Sequence, residues 1–278
     1  MPGLDNGLPA GHGYVKLAHN HKGAGMTAIT MDGRVRSEEA RWFYVGMAAI
    51  YVLIAFGGFI PTYWARVARG SFDGGPILHW HGALFFTWTL FFFAQTLLIA
   101  TGRVVNHRNW GMLGISLATA MAISVLVAAI RSMKVAETIA MGDEARRFAI
   151  VSLSGLVLFA VFFTLAIANV RAAESHKRYM VVAMVPLMQA AIARIFLTLF
   201  APADAIGPPP VFVALPPGLL MDGLIVAAMV YDWRTRGRTH SIYVVGLAAN
   251  VAVQVLCIPL SSTEGWMSIA RTVQSLAG

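Results

Sequence analysis

Two histidines open the second long apolar stretch of the chain, in the sequence Leu78-His79-Trp80-His81-Gly82. Residues 83–102, which follow them, include no Asp, Glu, Lys or Arg. Neutral imidazole is the commonest metal ligand in proteins, and it gains and loses a proton near neutral pH. In a regular helix, side chains two residues apart point about 200° apart, so His79 and His81 can hold one ion only where the helix start is irregular. A Gly-Gly-Pro run at 74–76 favours an irregular start.

Three further polar residues lie deep in apolar stretches: Arg194, Asp222 and Gln254. An ionisable residue inside a membrane costs about 2.5–3.5 kcal/mol, so it usually faces other helices and has a partner there. At about 1.5 Å per residue, Arg194 lies about 24 Å and Gln254 about 21 Å from the inner edge of the bundle. Asp222 lies about 22 Å from that edge if its helix begins at Pro216-Pro217, because proline suits the first helical turn. The sequence therefore predicts an ion pair between Arg194 and Asp222, with Gln254 beside it.

Together these residues predict one cofactor-binding pocket, formed by His79, His81, Arg194, Asp222 and Gln254. The alternative for the ion pair is a structural role that fixes helix register and contributes little net stability. The alternative for His81 is a histidine at the membrane interface with its hydrogen bonds satisfied. The convergence of Arg, Asp, His and Gln at one depth favours a functional pocket.

Three other histidines share a pattern, because each is followed three residues later by Trp or Tyr at the start of an apolar stretch. They are His107, His176 and His240. An aromatic residue one helical turn from a histidine suits the membrane interface, where amphipathic rings anchor helix ends. Alternatively, the three imidazoles lie at one depth and form a three-histidine metal site. The sequence leaves both interpretations open.

The elements that must position these residues are membrane-spanning helices. The chain of 278 residues is 58% hydrophobic and only 12% charged, whereas an ordinary soluble domain carries about 25% charged residues. A spanning helix needs about 20 mostly apolar residues. Seven stretches are long enough: 42–65, 78–102, 109–130, 148–170, 179–203, 205–231 and 239–263. Five hold no charged residue, the fifth holds only Arg194 and the sixth only Asp222. Runs of this length lack the alternation of a membrane β-barrel, so the predicted fold class is all-α, a polytopic transmembrane bundle of seven helices.

We predict three regions in the chain. Residues 1–40 form a polar, glycine-rich tail, residues 41–263 form the seven-helix domain, and residues 264–278 form an amphipathic helix on the membrane surface. Basic residues in the tail and the connections place the amino terminus in the cytoplasm by the positive-inside rule. We therefore expect a multi-pass protein of a bacterial inner membrane that contacts membrane lipids, with other membrane subunits as further candidate partners.

The net charge of +8 does not indicate a nucleic-acid partner, because the basic residues concentrate in short connections beside the spans. The single cysteine, Cys257, can form neither an internal disulfide nor a thiolate metal cage. The chain has no Gly-x-x-x-x-Gly-Lys nucleotide loop and no Gly-x-Ser-x-Gly nucleophile motif. The lack of these motifs excludes enzymes that depend on that nucleotide loop and hydrolases that depend on that nucleophile motif. It leaves open whether the chain is an enzyme at all.

Four short motifs resemble those of a widespread group of uncharacterised bacterial seven-helix membrane proteins. The motifs are His79-Trp80-His81-Gly82, His107-Arg108-Asn109-Trp110-Gly111, His176-Lys177-Arg178-Tyr179-Met180 and Ala191-Ile192-Ala193-Arg194. Members of the group also tend to carry an acid where Asp222 stands, a histidine where His240 stands, and an acid before Trp, as in Glu264-Gly265-Trp266. The resemblance covers residues 42–277 and departs at Gly82, where the group often has alanine. It implies the seven-helix fold and this set of site residues, but no reaction.

Two functions follow from these observations. In the first, the histidines bind haem b or a divalent metal ion in a redox role, and Arg194 holds an acidic group such as a haem propionate or a lipid headgroup. In the second, the protein is a non-catalytic binder of a lipid or small molecule, a transporter, or a subunit or assembly factor of a larger membrane complex.

Overall fold

The computed structural model describes residues 21–202 and 204–276, with side chains described from residue 40 onward. The chain divides into two units, residues 1–40 and 41–278. Residues 21–40 of the first unit are helical. The rest of the predicted polar tail, residues 1–20, lies outside the described residues.

The described residues form nine helices, α1 to α9, joined by short connections. The long helices are α1 (His21–Gly58), α3 (Gly75–Ala100), α4 (Val104–Glu137), α5 (Gly142–Ala168), α6 (Ala173–Phe200), α7 (Leu215–Arg236) and α8 (Ser241–Leu260). The shorter elements are α2 (Ala65–Ala68), α9 (Glu264–Ser275), a π-helical turn at Ile60–Trp64 and a 3-10 turn at Val211–Ala214. Within residues 21–202 and 204–276 there is no strand.

In the part of the chain that the structure describes, seven helical segments are long and apolar enough to cross a membrane. They are Ala40–Ala68, Gly75–Ala100, Val104–Glu137, Gly142–Ala168, Ala173–Phe200, Val211–Arg236 and Ser241–Leu260. These segments confirm the predicted all-α bundle of seven helices, and they support a multi-pass membrane protein.

Consecutive helices from α3 to α8 pack side by side, so the chain runs up and down through the bundle. Gly102 and Gly237 close two of the connections with positive φ angles of 77° and 72°, a backbone region that glycine enters readily. The bundle therefore has two ends. We call the end with the connections after α3, α5 and α7 the Arg178 end, and the end with those after α2, α4, α6 and α8 the Arg194 end.

Helix α6 is enclosed by its neighbours in the core. It packs against α5, α7 and α8 and against the π-helical turn, and residues 181–185 are at most 1% exposed. The Tyr51 hydroxyl of α1 donates to the Val181 carbonyl at 3.1 Å. Because α6 crosses the whole bundle, it carries Arg178 near one end and Arg194 near the other.

Helix α1 ends where it touches α6. A Cβ added at Gly58 would lie 2.5 Å from the carbonyl oxygen of Ala191, so glycine is required for this close approach. Pro61 stands in the π-helical turn that follows, where the amides of Tyr63 and Trp64 both bond to one carbonyl. Proline has no amide to donate to a regular helix, and after this wider turn the chain continues into α2.

Helices α7 and α9 agree with the sequence prediction. Helix α7 begins at Leu215, beside the Pro216-Pro217 pair that marks its predicted start. Helix α9 buries Met267 and Ala270 against α4 and α5 and leaves Arg271 exposed, as an amphipathic surface helix should. The predicted carboxy-terminal helix is therefore confirmed for Glu264–Ser275.

Candidate functional site

The ion pair predicted between Arg194 and Asp222 is not formed. No ion pair among the described side chains includes either residue. Arg194 is exposed on α6, whereas Asp222 is buried on α7 and accepts a hydrogen bond from Gln254 Nε2 at 3.1 Å. A similar depth does not bring two side chains together when their helices present them in different directions. The pairing prediction is therefore wrong for Arg194, while Asp222 and Gln254 do meet.

The charged neighbour of Arg194 is another arginine, Arg66 on α2. Both side chains are exposed, and neither pairs with an acid within the described part of the chain. The contact between Gly58 and Ala191 explains how they meet, because it joins α1 to α6 one turn before Arg194. Two positive charges thus lie close together at the Arg194 end.

His81 reaches the same region from α3. Its Nδ1 lies 3.1 Å from the Ser124 hydroxyl oxygen, and that hydroxyl donates its own proton to the Met121 carbonyl at 2.7 Å. Ser124 must therefore accept from the histidine, which places the proton of the neutral ring on Nδ1 and leaves the lone pair on Nε2. Arg194 acts electrostatically on this ring. We call Arg66, Arg194 and His81 the arginine cluster.

His79 does not share a site with His81. Helix α3 is regular from Gly75 onward, so the irregular start that would bring the two rings together is absent, and they point about 200° apart. The Tyr63 hydroxyl lies 2.9 Å from Nδ1 of His79, and the Phe72 ring packs edge-on against it at 4.9 Å. His79 is exposed, which fits a residue of the membrane interface.

The three histidines at the Arg178 end do not form one metal site. Among the described residues, no group of three His, Cys, Asp or Glu side chains could hold a metal ion. His107 and His176 do approach each other, with ring centroids 6.2 Å apart. Nδ1 of His176 lies 2.9 Å from the Ala166 carbonyl, to which it must donate, so its Nε2 keeps a lone pair. Nδ1 of His107 is buried without a hydrogen bond from any described residue.

His240 caps a helix instead of binding an ion. Its Nδ1 accepts a hydrogen bond from the Ile242 amide at 3.3 Å, at the first turn of α8. This bond requires the neutral ring, with the proton on Nε2. Burial, together with the nearby charge of Arg178, lowers the pKa of the His240 imidazole, which favours that neutral form.

A polar network at the Arg178 end was not predicted from the sequence. The Arg178 side chain is 0% exposed, and its Nε and Nη2 donate to both carboxylate oxygens of Asp232 at 2.8 and 2.7 Å. Its Nη1 donates to the Glu174 carboxylate at 2.7 Å, and Arg236 pairs with the same carboxylate at 2.5 Å. The signal that could have found the network is Asp232 itself, because an acid is disfavoured in the last turns of a helix unless a cation faces it.

Two tyrosines enclose this network. The Arg178 guanidinium lies 5.7 Å from the centre of the Tyr243 ring, and the hydroxyls of Tyr243 and Tyr44 are 3.2 Å apart. Because Arg178 is already bonded to Asp232 and Glu174, few of its donors remain for a ligand. The network therefore joins α1, at Tyr44, to the ends of α6, α7 and α8 and has the character of a structural clamp.

Comparisons with known protein families, with curated proteins and with solved structures found no match. The resemblance to the bacterial seven-helix group thus stays a prediction. The features of the structure that bear on function are the arginine cluster, the His107–His176 pair and the buried Asp222.

Proposed function

We propose that this multi-pass membrane protein binds an anionic group of a lipid or lipid-like small molecule at the arginine cluster. The observation that carries the proposal is that the charge of Arg66 acts on Arg194 while neither arginine pairs with an acid among the described residues. The ligand group is a phosphate or a carboxylate, and the rest of the ligand lies along the apolar surface of α3 and α6.

Electrostatics favours an anion at this place. Two like charges repel each other, and the repulsion is screened less beside an apolar bundle than in bulk water. Some other arginines of the described chain pair with carboxylates, as Arg146 does with Asp143 and Arg178 does with Asp232. A guanidinium presents a planar fork of donors that suits phosphate and carboxylate oxygens. An anion between Arg66 and Arg194 would thus replace repulsion with two charge-assisted contacts.

His81 supports the same assignment. Its Nδ1 is held by Ser124, and its Nε2 has no hydrogen bond to a described residue. The imidazole can therefore accept a hydrogen bond from a ligand hydroxyl, or donate one when it is protonated. Basic pockets between transmembrane helices bind acidic lipid headgroups in other membrane proteins, where they are described for the cytoplasmic or matrix side.

The test compares lipid binding by variants that differ in one arginine. Native mass spectrometry measures how much phosphatidylglycerol and how much phosphatidylcholine the purified protein retains. We expect Arg66→Gln and Arg194→Gln each to weaken phosphatidylglycerol binding about ten- to hundredfold, the value of one charge-assisted hydrogen bond. Phosphatidylcholine, whose headgroup carries no net charge, should bind weakly to every form.

The matched control is Arg147→Gln. Arg147 is also an exposed arginine at the Arg194 end, and it has no acid partner among the described residues. Equal losses in the control and in Arg194→Gln would show a diffuse charge effect and contradict the site. Oleate, tested in the same way, distinguishes a carboxylate ligand from a phosphate one.

A histidine-bound cofactor is the second candidate, and the His107–His176 pair supports it. Imidazole is a common ligand of haem iron and of divalent metals. His176 keeps a lone pair on Nε2, and the ring of His107 lies 6.2 Å away. Gln95 lies near His107 and has both amide atoms buried without a hydrogen bond to a described residue, so this region has unused capacity for a polar ligand.

Absorption spectra and elemental analysis test the cofactor directly. If this protein binds haem, the form purified from its host should show a Soret band. That band should disappear in His107→Ala and in His176→Ala but persist in His240→Ala. Absence of both a Soret band and a stoichiometric metal in the wild-type protein would remove this candidate.

The orientation belongs to the same set of proposals. More basic residues lie on the side of the membrane that holds the amino terminus than on the other side. By the positive-inside rule, this excess supports a cytoplasmic amino terminus in a bacterial inner membrane. In that orientation the arginine cluster faces the outer leaflet. Reporter fusions after Arg238 and after Gly278, on opposite sides of the membrane in this scheme, test it.

A further inference from the structure

A second polar site lies inside the bundle, away from the arginine cluster. Asp222 is 3% exposed and Asn250 is 1% exposed. Gln254, one helical turn after Asn250 on α8, donates to Asp222 Oδ2 at 3.1 Å. Within the described residues, Asp222 takes part in no ion pair. A carboxylate is thus enclosed in an apolar bundle without a neutralising side chain.

The hydrogen bonds fix how the neighbouring amides are turned. The Asn250 NH₂ group donates to the Gly246 carbonyl at 2.8 Å, and the Gln254 NH₂ group donates to Asp222. Carbonyl and carboxylate oxygens cannot donate, so the NH₂ groups must face them and the amide oxygens must point elsewhere. Oδ1 of Asp222, Oδ1 of Asn250 and Oε1 of Gln254 are all buried without a donor among the described residues.

Three buried acceptor oxygens without donors are costly. Each such group costs about 1–3 kcal/mol, and more when it is charged. A cavity of about 20 Å³ is lined by Asn250 and Gln254 and also by Ser154 and Gln189. Such a volume accommodates one water-sized occupant. Asp222 contacts one of these lining side chains, Gln254, through their hydrogen bond. The oxygens therefore define a place for a small donor or a small cation.

We propose that Asp222, Asn250 and Gln254 bind one monovalent cation, with Na⁺ as the best-fitting ion. A single carboxylate balances a single positive charge, whereas Ca²⁺ sites use several carboxylates and Mg²⁺ keeps several waters. All three proposed ligand atoms are oxygens, which suits a hard cation. Ser154 and a water molecule can complete the coordination.

Gly218 on α7 allows these ligands to come together. A Cβ at this position would lie 2.7 Å from Cδ of Gln254 and 3.0 Å from Nε2 of Gln189. Gln189 in turn donates to the Ala214 carbonyl at 2.8 Å, which fixes the turn before α7. Gly218→Ala therefore displaces a ligand without removing one, and it should weaken ion binding for a purely geometric reason.

The test measures equilibrium binding of ²²Na⁺ to the purified full-length protein, at constant ionic strength with choline as the replacing cation. The pH is held at about 8, above the ordinary pKa of a carboxyl group. We expect about one ion per chain in the wild-type protein, and affinity at least tenfold lower in Asp222→Asn, Asn250→Ala and Gly218→Ala. The control Asp73→Asn removes an exposed carboxylate that has no ion pair with a described residue, and it should bind like wild type.

The wild-type result decides the proposal even if a variant fails to fold. No saturable ²²Na⁺ binding at this pH would overturn it. The same conclusion would follow from an infrared carbonyl band of a protonated carboxyl that is present in wild type and missing in Asp222→Asn, because a proton would then neutralise the site. The proposal is independent of the arginine cluster, so Arg194→Gln should leave ²²Na⁺ binding unchanged.

Discussion

The buried pair of Arg178 and Asp232 gives the sharpest prediction for stability. The two side chains are 0% and 1% exposed, and they share two hydrogen bonds of 2.8 and 2.7 Å. Replacing Asp232 with alanine leaves the Arg178 charge buried and largely uncompensated, which costs about 3–5 kcal/mol. Glu174 still accepts from Arg178 but is 51% exposed, so we expect a loss of about 3 kcal/mol, the lower end of that range.

Thermal unfolding in detergent measures this loss. A change of about 1 kcal/mol shifts the Tm of a soluble domain of comparable size by about 2–4 °C, so Asp232→Ala should lower Tm by roughly 6–12 °C. The matched control is Asp143→Ala, which breaks a pair with Arg146 in which the acid is 59% exposed. That change should cost less than about 1 kcal/mol, since solvent screens the charges.

A double variant separates the net contribution of the ion pair to stability from the cost of leaving one buried charge without its partner. Arg178→Met/Asp232→Leu removes both charges and fills similar volume, and such replacements are often neutral. We expect the double variant to be more stable than Asp232→Ala alone. Two results would refute the role of Asp232 as the buried counter-ion of Arg178: a loss of stability in Asp232→Ala no larger than in Asp143→Ala, or a double variant no more stable than Asp232→Ala.

Two further predictions concern His240 and Gly58. The pKa of His240 is lowered in the folded protein, so its contribution to stability is present above the ordinary pKa of about 6.5 and is lost as pH falls toward the lowered value. His240→Asn keeps a helix-capping acceptor, and its unfolding midpoint should vary less between pH 7 and pH 5 than that of wild type; an equal variation would contradict this assignment. Gly58→Ala should lower the free energy of unfolding by about 1–3 kcal/mol, because the added Cβ meets the Ala191 carbonyl. It should also weaken phosphatidylglycerol binding. Gly57→Ala should have neither effect, since nothing lies within 4 Å of a Cβ added there.

The seven helices could be predicted because membrane insertion depends on the hydropathy of continuous stretches, which the sequence displays directly. The start of α7 could be predicted from Pro216-Pro217, since proline has one favoured place in a helix. The contact between Asp222 and Gln254 followed from depth along two helices that prove to be neighbours. A local property of the chain determines the first two results, and the third also depends on the packing of α7 against α8, which are consecutive helices.

The partner of Arg194 could not be predicted in the same way. Depth changes by about 1.5 Å per residue, but direction changes by about 100°, so a small rotation of α6 decides which helix an arginine faces. The rotation is set by contacts such as Gly58 against Ala191, which lie far apart in the sequence. Arg66, on the short helix α2 just after the first apolar stretch, had no feature that marked it as a partner.

The Arg178 network was missed for a different reason. A basic residue near the end of a transmembrane helix is ordinarily solvated at the membrane surface, and nothing local distinguishes Arg178 from Lys177. Only packing against Asp232, 54 residues later, shows that one of these neighbouring cations is buried and the other is not.

A structure of the protein in lipid nanodiscs that contain phosphatidylglycerol tests the central claim most directly. The proposal predicts a headgroup phosphate within about 4 Å of the guanidinium groups of both Arg66 and Arg194, with the acyl chains along α3 and α6. A structure in which the two arginines face only water, or in which an acidic side chain of the same chain lies between them, would contradict it.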